Sequence, residues 1–331
     1  AARSVGNRFG LMAVYTQVSA EKAQALLRLY DVGSLVSLKG IAEGVENSNY
    51  LLETTEARFI LTLYESRVDP DDLPYFHRLL AHLHAANCPV PRFIEDRQGH
   101  WLQEVAGRKA CLIEFLPGIS VSEPTQVHAA AVGRALGQMH NALKSFTEAK
   151  ANPLGQTNWR ALFGQCDSEA TEQLQSGLSS RIAQELDWLD ANWPAHLPAI
   201  AAHTDLFPDN VLFNGDSVGG LIDFYFACTE LRAYDLAVTH AAWSFSNDGG
   251  SYNAEVGKAI IDGYASGGEL LAEERHAMPV LARGASLRFL LTRLYDWINT
   301  PADAMVTRKD PLAFLKRLDY YSSVDGQGLF L

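Results

Sequence analysis

The chain has few cysteines, no long apolar run and no excess of positive charge, and each shortage removes a class of function. The four cysteines, Cys88, Cys111, Cys166 and Cys228, lie far apart with neither a CxxC pair nor a Cys/His ligand spacing. That speaks against a cysteine-built metal site or a disulfide framework, and it predicts reduced, buried thiols in a cytoplasmic protein. No apolar stretch reaches the roughly 18 residues of a membrane span, and the N-terminus carries no signal-peptide core. A formal net charge of -12 leaves no general basic surface for nucleic acid or an anionic membrane. Neither GxGxxG nor GxxxxGKS/T occurs, so a mononucleotide P-loop is excluded. There is no internal repeat and no low-complexity tract.

What is present is a globular composition, 47% hydrophobic over 331 residues, long enough for two domains or one large two-lobed unit. Residues 1–11 read as a tag remnant or flexible extension, with Met12 as the native start. A short helix over 20–30, with Ser19 as its N-cap, leads into strands at 35–39, 49–53 and 58–64. A helix is predicted over 70–86, where Leu73, Phe76, Leu79, Leu80 and Leu83 make an apolar face. Strands at 92–95, 101–104 and 110–115 would complete a sheet-rich first domain. Beyond 116–118 the pattern turns helical, with helices predicted over 126–143, 169–193, 234–246, 253–265, 273–297 and 311–320. The expected fold is α+β and bilobal: a small antiparallel-sheet N-terminal lobe over 12–115 and a larger, mainly helical C-terminal lobe over 116–331.

One stretch carries chemistry. In His203-Thr204-Asp205-Leu206-Phe207-Pro208-Asp209-Asn210 an Asp stands five residues before an Asn, the spacing of a kinase catalytic loop. In such a loop the Asp orients the acceptor hydroxyl and takes its proton, while the Asn holds Mg²⁺. Val211 to Ile222 reads as a tight β-hairpin reversing at Asn214-Gly215. A hairpin returns its end to its beginning, so Asp223 should come near Asn210 as a second hard oxygen ligand, which suits Mg²⁺.

Supporting constellations are weaker. The loop expected over 40–48, with Gly40, Gly44, Asn47 and Ser48, would cover phosphates with its free amides, and Glu114 opens the linker beside the nucleotide. A protein kinase places a Lys on the third strand, paired with a Glu on the next helix. Here Thr62 holds the strand position, and the helix over 70–86 carries no Glu. Lys39, Arg58 or Arg67 are the alternatives for that charge. His77, His82 and His84 do not share one helix face, and His140 reads as a hydrogen-bonded packing residue. Arg293 and Asp296, three apart on a helix, read either as a local ion pair or as substrate contacts.

These motifs resemble those of the aminoglycoside phosphotransferase-like superfamily of small-molecule kinases, whose fold is protein-kinase-like. Within it the chain is similar to the homoserine kinases. KGIAEGVENSNYLLE from Lys39, ILTLYE from Ile60, GLIDFYFAC from Gly220, Ala233-Tyr234-Asp235-Leu236-Ala237 and ARGASLRFLLTRLYDW from Ala282 carry the likeness, which covers nearly the whole chain from Met12. The resemblance implies that Asp205 is the catalytic base, that Asn210 and Asp223 hold Mg²⁺, and that His203 and Asp235 give structural support. It implies transfer of the ATP γ-phosphate to L-homoserine on the route to threonine. Thr204 stands where the superfamily often has a small residue such as Gly. Homoserine is a zwitterion, so its site needs a cation and an acid; Tyr225, Glu230, Arg288, Arg293 and Asp296 are candidates by type and placement. The alternatives are another acceptor of the same superfamily (an amino alcohol, aminoglycoside or thiosugar) and a nucleotide-binding regulatory module without catalysis. The expected partner is thus a small-molecule substrate, with neither nucleic acid nor membrane, and the sequence carries no signal for an oligomeric state.

Overall fold

Why the chain divides is already visible in its hydrophobic periods, which switch from two to near four past the middle of the linker. The structure, a computed structural model, describes residues 16–41, 47–65, 68–300, 308–323, 326 and 328–330. The proposed leader at 1–11, Gly44 and Arg67 lie outside the described residues. Two compact units are present: residues up to Ala85 with Val90–Pro117 form the first, and Ala86–Pro89, Gly118–Thr300 and the described residues from Arg308 onward form the second. Among the described residues, no helix is long and apolar enough to cross a membrane.

Among its described residues, the first unit is a five-stranded antiparallel sheet with two α-helices. Helix α1 (Ala20–Leu27) is capped by the Ser19 side chain, as expected from its sequence. Strands β1 (Leu35–Ile41), β2 (Asn47–Thr54) and β3 (Arg58–Tyr64) follow, then α2 (Leu73–Ala85), β4 (Gln103–Val105) and β5 (Arg108–Glu114). The strand order is β1-β2-β3-β5-β4. Alternation places Phe59, Leu61 and Leu63 on one sheet face, where they join Leu26, Leu27 and Tyr30 around α1 in a core.

Two strand expectations need correction. The segment at 92–95 makes only an isolated bridge, Phe93 with Ile113, although the Ile94 N–H donates to the Leu112 carbonyl at 2.8 Å. Pro89 and Pro91 just before it limit the ladder it can build. Gly40, Asn47 and Ser48 were expected in a loop, but Gly40 pairs with Tyr50 in β1–β2 and Ser48 with Leu63 in β2–β3.

The second unit contains α3 (Gln126–Leu143), α4 (Trp159–Phe163), α5 (Ser168–Leu174) and α6 (Leu178–Asn192). Next come β6 (Ala199–Ala202), β7 (Val211–Asn214), β8 (Ser217–Leu221) and β9 (Cys228–Leu231). Helices α7 (Arg232–Trp243), α8 (Ala254–Gly267), α9 (Ala272–Asn299) and α10 (Leu312–Ser322) complete it. The single helix expected over 169–193 is two: α5 ends at an extended Gln175, and Gly177, the N-cap of α6, adopts a φ of +79°, a left-handed conformation that glycine enters without steric cost. Strands β6 and β9 pair antiparallel, as do β7 and β8. All residues of α7 are buried. Glycines spaced by four on α3 (Gly133, Gly137) and α8 (Gly263, Gly267) let the two helices meet backbone to backbone: a Cβ at any of these positions would collide with main-chain atoms of the other helix or its C-cap.

Candidate active site

The 203–210 loop leaves β6 and enters β7, and its backbone is tied down almost residue by residue. Both oxygens of the buried Asp235 carboxylate accept from it: His203 N–H at 2.8 Å and Thr204 N–H at 2.7 Å. The His203 ring donates from Nε2 to the Ile222 carbonyl at 3.0 Å, and its Nδ1 accepts the Asp205 N–H at 3.2 Å. That pair of bonds fixes the neutral Nε2–H tautomer, in keeping with burial, which pushes the His203 imidazole down. Trp243 Nε1–H on α7 donates to the Leu206 carbonyl at 2.9 Å. Arg288 on α9 donates to the Thr204 carbonyl.

Asp235 is in turn held from behind. His140 Nε2–H on α3 donates to it at 3.0 Å, and His140 Nδ1 meets the Tyr264 hydroxyl of α8 at 2.9 Å. Burial drives the Asp235 carboxyl up, but the His140 hydrogen bond and charge, His203 and the loop N–H outweigh it, so the group stays below the usual carboxylate range. The glycine contact between α3 and α8 therefore sets the place of His140 and Tyr264, and through them that of Asp235.

Two residues of the site carry left-handed backbones: Thr204 with a φ of +60° and Asp223 with a φ of +65°. Such a conformation is unfavourable for a β-branched residue. At Thr204 it persists because N–H, carbonyl and hydroxyl are all bonded, the last to the Phe226 carbonyl at 3.1 Å. A small residue such as Gly would enter this conformation freely.

The chemistry-bearing side chains project from this frame. Asn210 Nδ2 donates to the Asp205 carbonyl at 2.8 Å and to its Oδ2 at 3.3 Å, which leaves the amide oxygen as the free face of Asn210. The hairpin closes as its sequence predicts, with Gly215 in the turn at a φ of +59°. Pairing runs one step further, Ile222 N–H to the Asn210 carbonyl at 3.0 Å, so Asp223 comes next after the residue that faces Asn210. The Asp223 side chain is exposed, yet the protein packed around it strips hydration and pushes its carboxyl up. Asp209 adds to the rise, while His203 and Lys309 oppose it. Its contact with water limits the size of that rise, and the direction is that of a carboxylate short of positive charge. Among the described residues no three His, Cys, Asp or Glu side chains converge on a metal site. One carboxylate and one amide oxygen fit Mg²⁺, which keeps most of its shell for water and phosphate.

Residues 37–270 match the phosphotransferase enzyme family. A homoserine kinase of Zymomonas mobilis is 51% identical over 319 residues, which cover 96% of this chain and 99% of the relative. A homoserine kinase of Xanthobacter autotrophicus is 50% identical over 314 residues, 95% of this chain and 97% of its own. The chain belongs to the homoserine kinases of this family. An amicoumacin kinase solved with AMP-PNP and Ca²⁺ has a TM-score of 0.72 at 13% identity, over 93% of this chain and 94% of that one. That likeness shows a shared fold, the α+β, protein-kinase-like architecture expected from the sequence.

Around Asp205, the structure sorts the acceptor candidates. Arg293 on α9 is half-buried; its guanidinium lies 4.5 Å over the Phe314 ring of α10 and donates to the Asp310 carbonyl at 3.3 Å. Burial lowers its pKa to about 10, against the charges of Asp205, Asp310 and Asp209. Asp296 stands one turn further along α9, half-buried, and Tyr225 is half-buried just past Asp223. Arg288 is 2% exposed and braces the loop from beneath. Glu230 accepts from Asn152 Nδ2 at 2.7 Å and from the Leu231 N–H at 2.8 Å.

In the first unit, the nucleotide candidates are engaged locally. The Ser48 hydroxyl donates to Glu65 at 2.7 Å and is 1% exposed. Glu114 receives a two-pronged contact from Arg92, 3.1 Å from Nε and 3.4 Å from Nη2. Asn47 is buried, and its Oδ1 has no partner among the described residues. Thr62, in place of a strand Lys, is 2% exposed and donates to Asn49 Oδ1 at 2.8 Å. Lys39 and Arg58 are exposed, the latter over the Phe115 ring at 4.6 Å. Reading the sequence missed Trp243, Tyr264, Lys309 and Phe314. The four-residue glycine spacing was the one available signal, and it points at Tyr264.

Proposed function

We propose that this chain transfers the γ-phosphoryl group of ATP to the side-chain hydroxyl of L-homoserine, giving O-phospho-L-homoserine and ADP. Asp205 accepts the hydroxyl proton as the new oxygen–phosphorus bond forms and the bond to the bridging oxygen of ADP breaks. Asn210, through its amide oxygen, and Asp223 would hold Mg²⁺, which when bound neutralises charge on the phosphate oxygens. The Asn210 bonds to Asp205 keep base and ligand in one fixed relation. Gly40, Asn47 and the Glu114 carbonyl are proposed to serve the nucleotide, since the Ser48 hydroxyl and the Glu114 carboxylate and N–H are already spent.

The observation that carries the acceptor assignment is Arg293, whose guanidinium is held over the Phe314 ring and is favoured in its charged form by Asp205. A guanidinium within electrostatic reach of the base suits an acceptor with a carboxylate, and Asp296 on the same helix face suits its ammonium. Free thiols at Cys88, Cys111, Cys166 and Cys228 suit a reducing, cytoplasmic setting.

The test is coupled ADP release with ATP, Mg²⁺ and L-homoserine, L-serine, choline, methylthioribose or kanamycin. Turnover with homoserine above all others is expected. Faster turnover with kanamycin or choline, or silence across the panel, would overturn the assignment.

A further inference from the structure

One ring connects the C-terminal helix to the catalytic loop. Phe314 on α10 is fully buried, and two guanidinium groups lie over it: Arg293 at 4.5 Å and Arg317 at 4.4 Å from the ring centroid. Arg317 is fixed, since it donates to the Ala313 carbonyl at 2.8 Å and to the Ser246 carbonyl at 3.0 Å. Among the described residues Arg293 donates to the Asp310 carbonyl, at the longer distance of 3.3 Å. The same ring packs 5.0 Å from Phe289 and 6.1 Å from Phe207, which is two residues past Asp205; Phe207 and Phe289 are 4.8 Å apart. A long arginine side chain loses rotamer freedom when it is held for a ligand. A ring face supplies that hold without occupying the N–H edge of the guanidinium, so the edge stays available to a carboxylate.

We infer that Phe314 is the positioning residue for the acceptor: its ring, packed against Phe207 of the 203–210 loop, orients the Arg293 guanidinium and so sets the preference for an acceptor that bears a carboxylate. The inference rests on the proposal that Arg293 takes that carboxylate. The crowding of Arg317 on the same ring supports it, because the charge of Arg293 and burial both lower the Arg317 pKa, to about 10, leaving a locally cationic site that an anion relieves.

The experiment compares L-homoserine with 3-amino-1-propanol, which keeps the ammonium, chain and hydroxyl but lacks the carboxylate. Phe314→Met fills much of the volume without a π face, and Phe314→Tyr keeps the face. Phe314→Leu replaces the methionine variant if that fails to fold, and an unchanged KM for ATP certifies the fold. For Phe314→Met, the homoserine KM is expected to rise about tenfold with kcat within about twofold. Its homoserine preference should fall towards that of Arg293→Met, and Phe314→Tyr should restore it. A preference unchanged in Phe314→Met while Arg293→Met abolishes it overturns the inference and leaves the acceptor assignment standing. An unchanged preference in Arg293→Met removes that assignment and the inference with it.

Discussion

In the first unit, polar side chains are spent on one another: Ser48 on Glu65, Thr62 on Asn49, Glu114 on Arg92. In the 203–210 loop, the backbone is what is spent, on Asp235, Arg288, Trp243 and Ile222, and it carries the side chains of Asp205 and Asn210. The difference teaches where chemistry resides in this molecule. A polar residue serves a ligand only where other groups have already satisfied the chain around it, because a buried unmet donor or acceptor costs more than a typical bond returns. Strain at Thr204 and Asp223 falls in the second region, where it is over-determined by such bonds.

The hardest test of this contrast is Asp205→Asn. It should lower kcat by about a thousandfold, in the range of a lost general base, with the thermal midpoint nearly unchanged. A large loss of stability with little loss of rate would invert the contrast. Asp235→Asn should act on stability first. Removing the charge that holds His140 and two loop N–H groups is expected to cost about 3 kcal/mol in urea unfolding, and kcat should fall because the loop loses its register. An unshifted urea midpoint would show that the loop does not depend on this carboxylate.

A pH titration of stability sharpens the contrast further. His240 of α7 is 1% exposed and bonds to the Tyr321 hydroxyl at 2.6 Å. Burial lowers its pKa to about 3 from an ordinary 6.5. Below pH 6.5 the unfolded chain takes up a proton that the folded chain refuses. Stability should therefore fall with decreasing pH, by about 1.4 kcal/mol per unit down to the folded value. In His240→Gln that slope should be shallower by one proton between pH 6 and 5. Equal slopes would mean that the imidazole gains a proton in the folded state. The smallest effect belongs to the first unit: Ser48→Ala should cost about 1 kcal/mol of stability and leave the KM for ATP within about twofold. A tenfold rise in that KM would return Ser48 to the nucleotide site.

Local patterns account for what the sequence disclosed. The Asp205 to Asn210 spacing, the Asn214-Gly215 reversal and α3 over Gln126–Leu143 depend on neighbours a few residues away. The site's second half depends on distant partners. Ser48 looks like a phosphate contact until Glu65 is folded against it, and Arg288 looks like a substrate contact until α9 lies beneath the loop. Phe314 lies in a helix legible from sequence, but its use as a surface for two arginines follows from the packing of α10 on α9. Gly177 shows the reverse: a local signal inside a helical pattern that the periodicity overrode.

The glycine seam between α3 and α8 has a bearing on how far this chain can be altered. Gly133, Gly137, Gly263 and Gly267 belong to helices whose own residues supply no reacting group, yet a single methyl at any of them meets main-chain atoms that have no rotamer by which to yield. Displacing α3 by even a fraction of an ångström moves His140, and with it the carboxylate that shapes the loop. An engineer hunting for permissive sites would pass over these positions as distant and small, when their freedom to vary is among the least in the molecule.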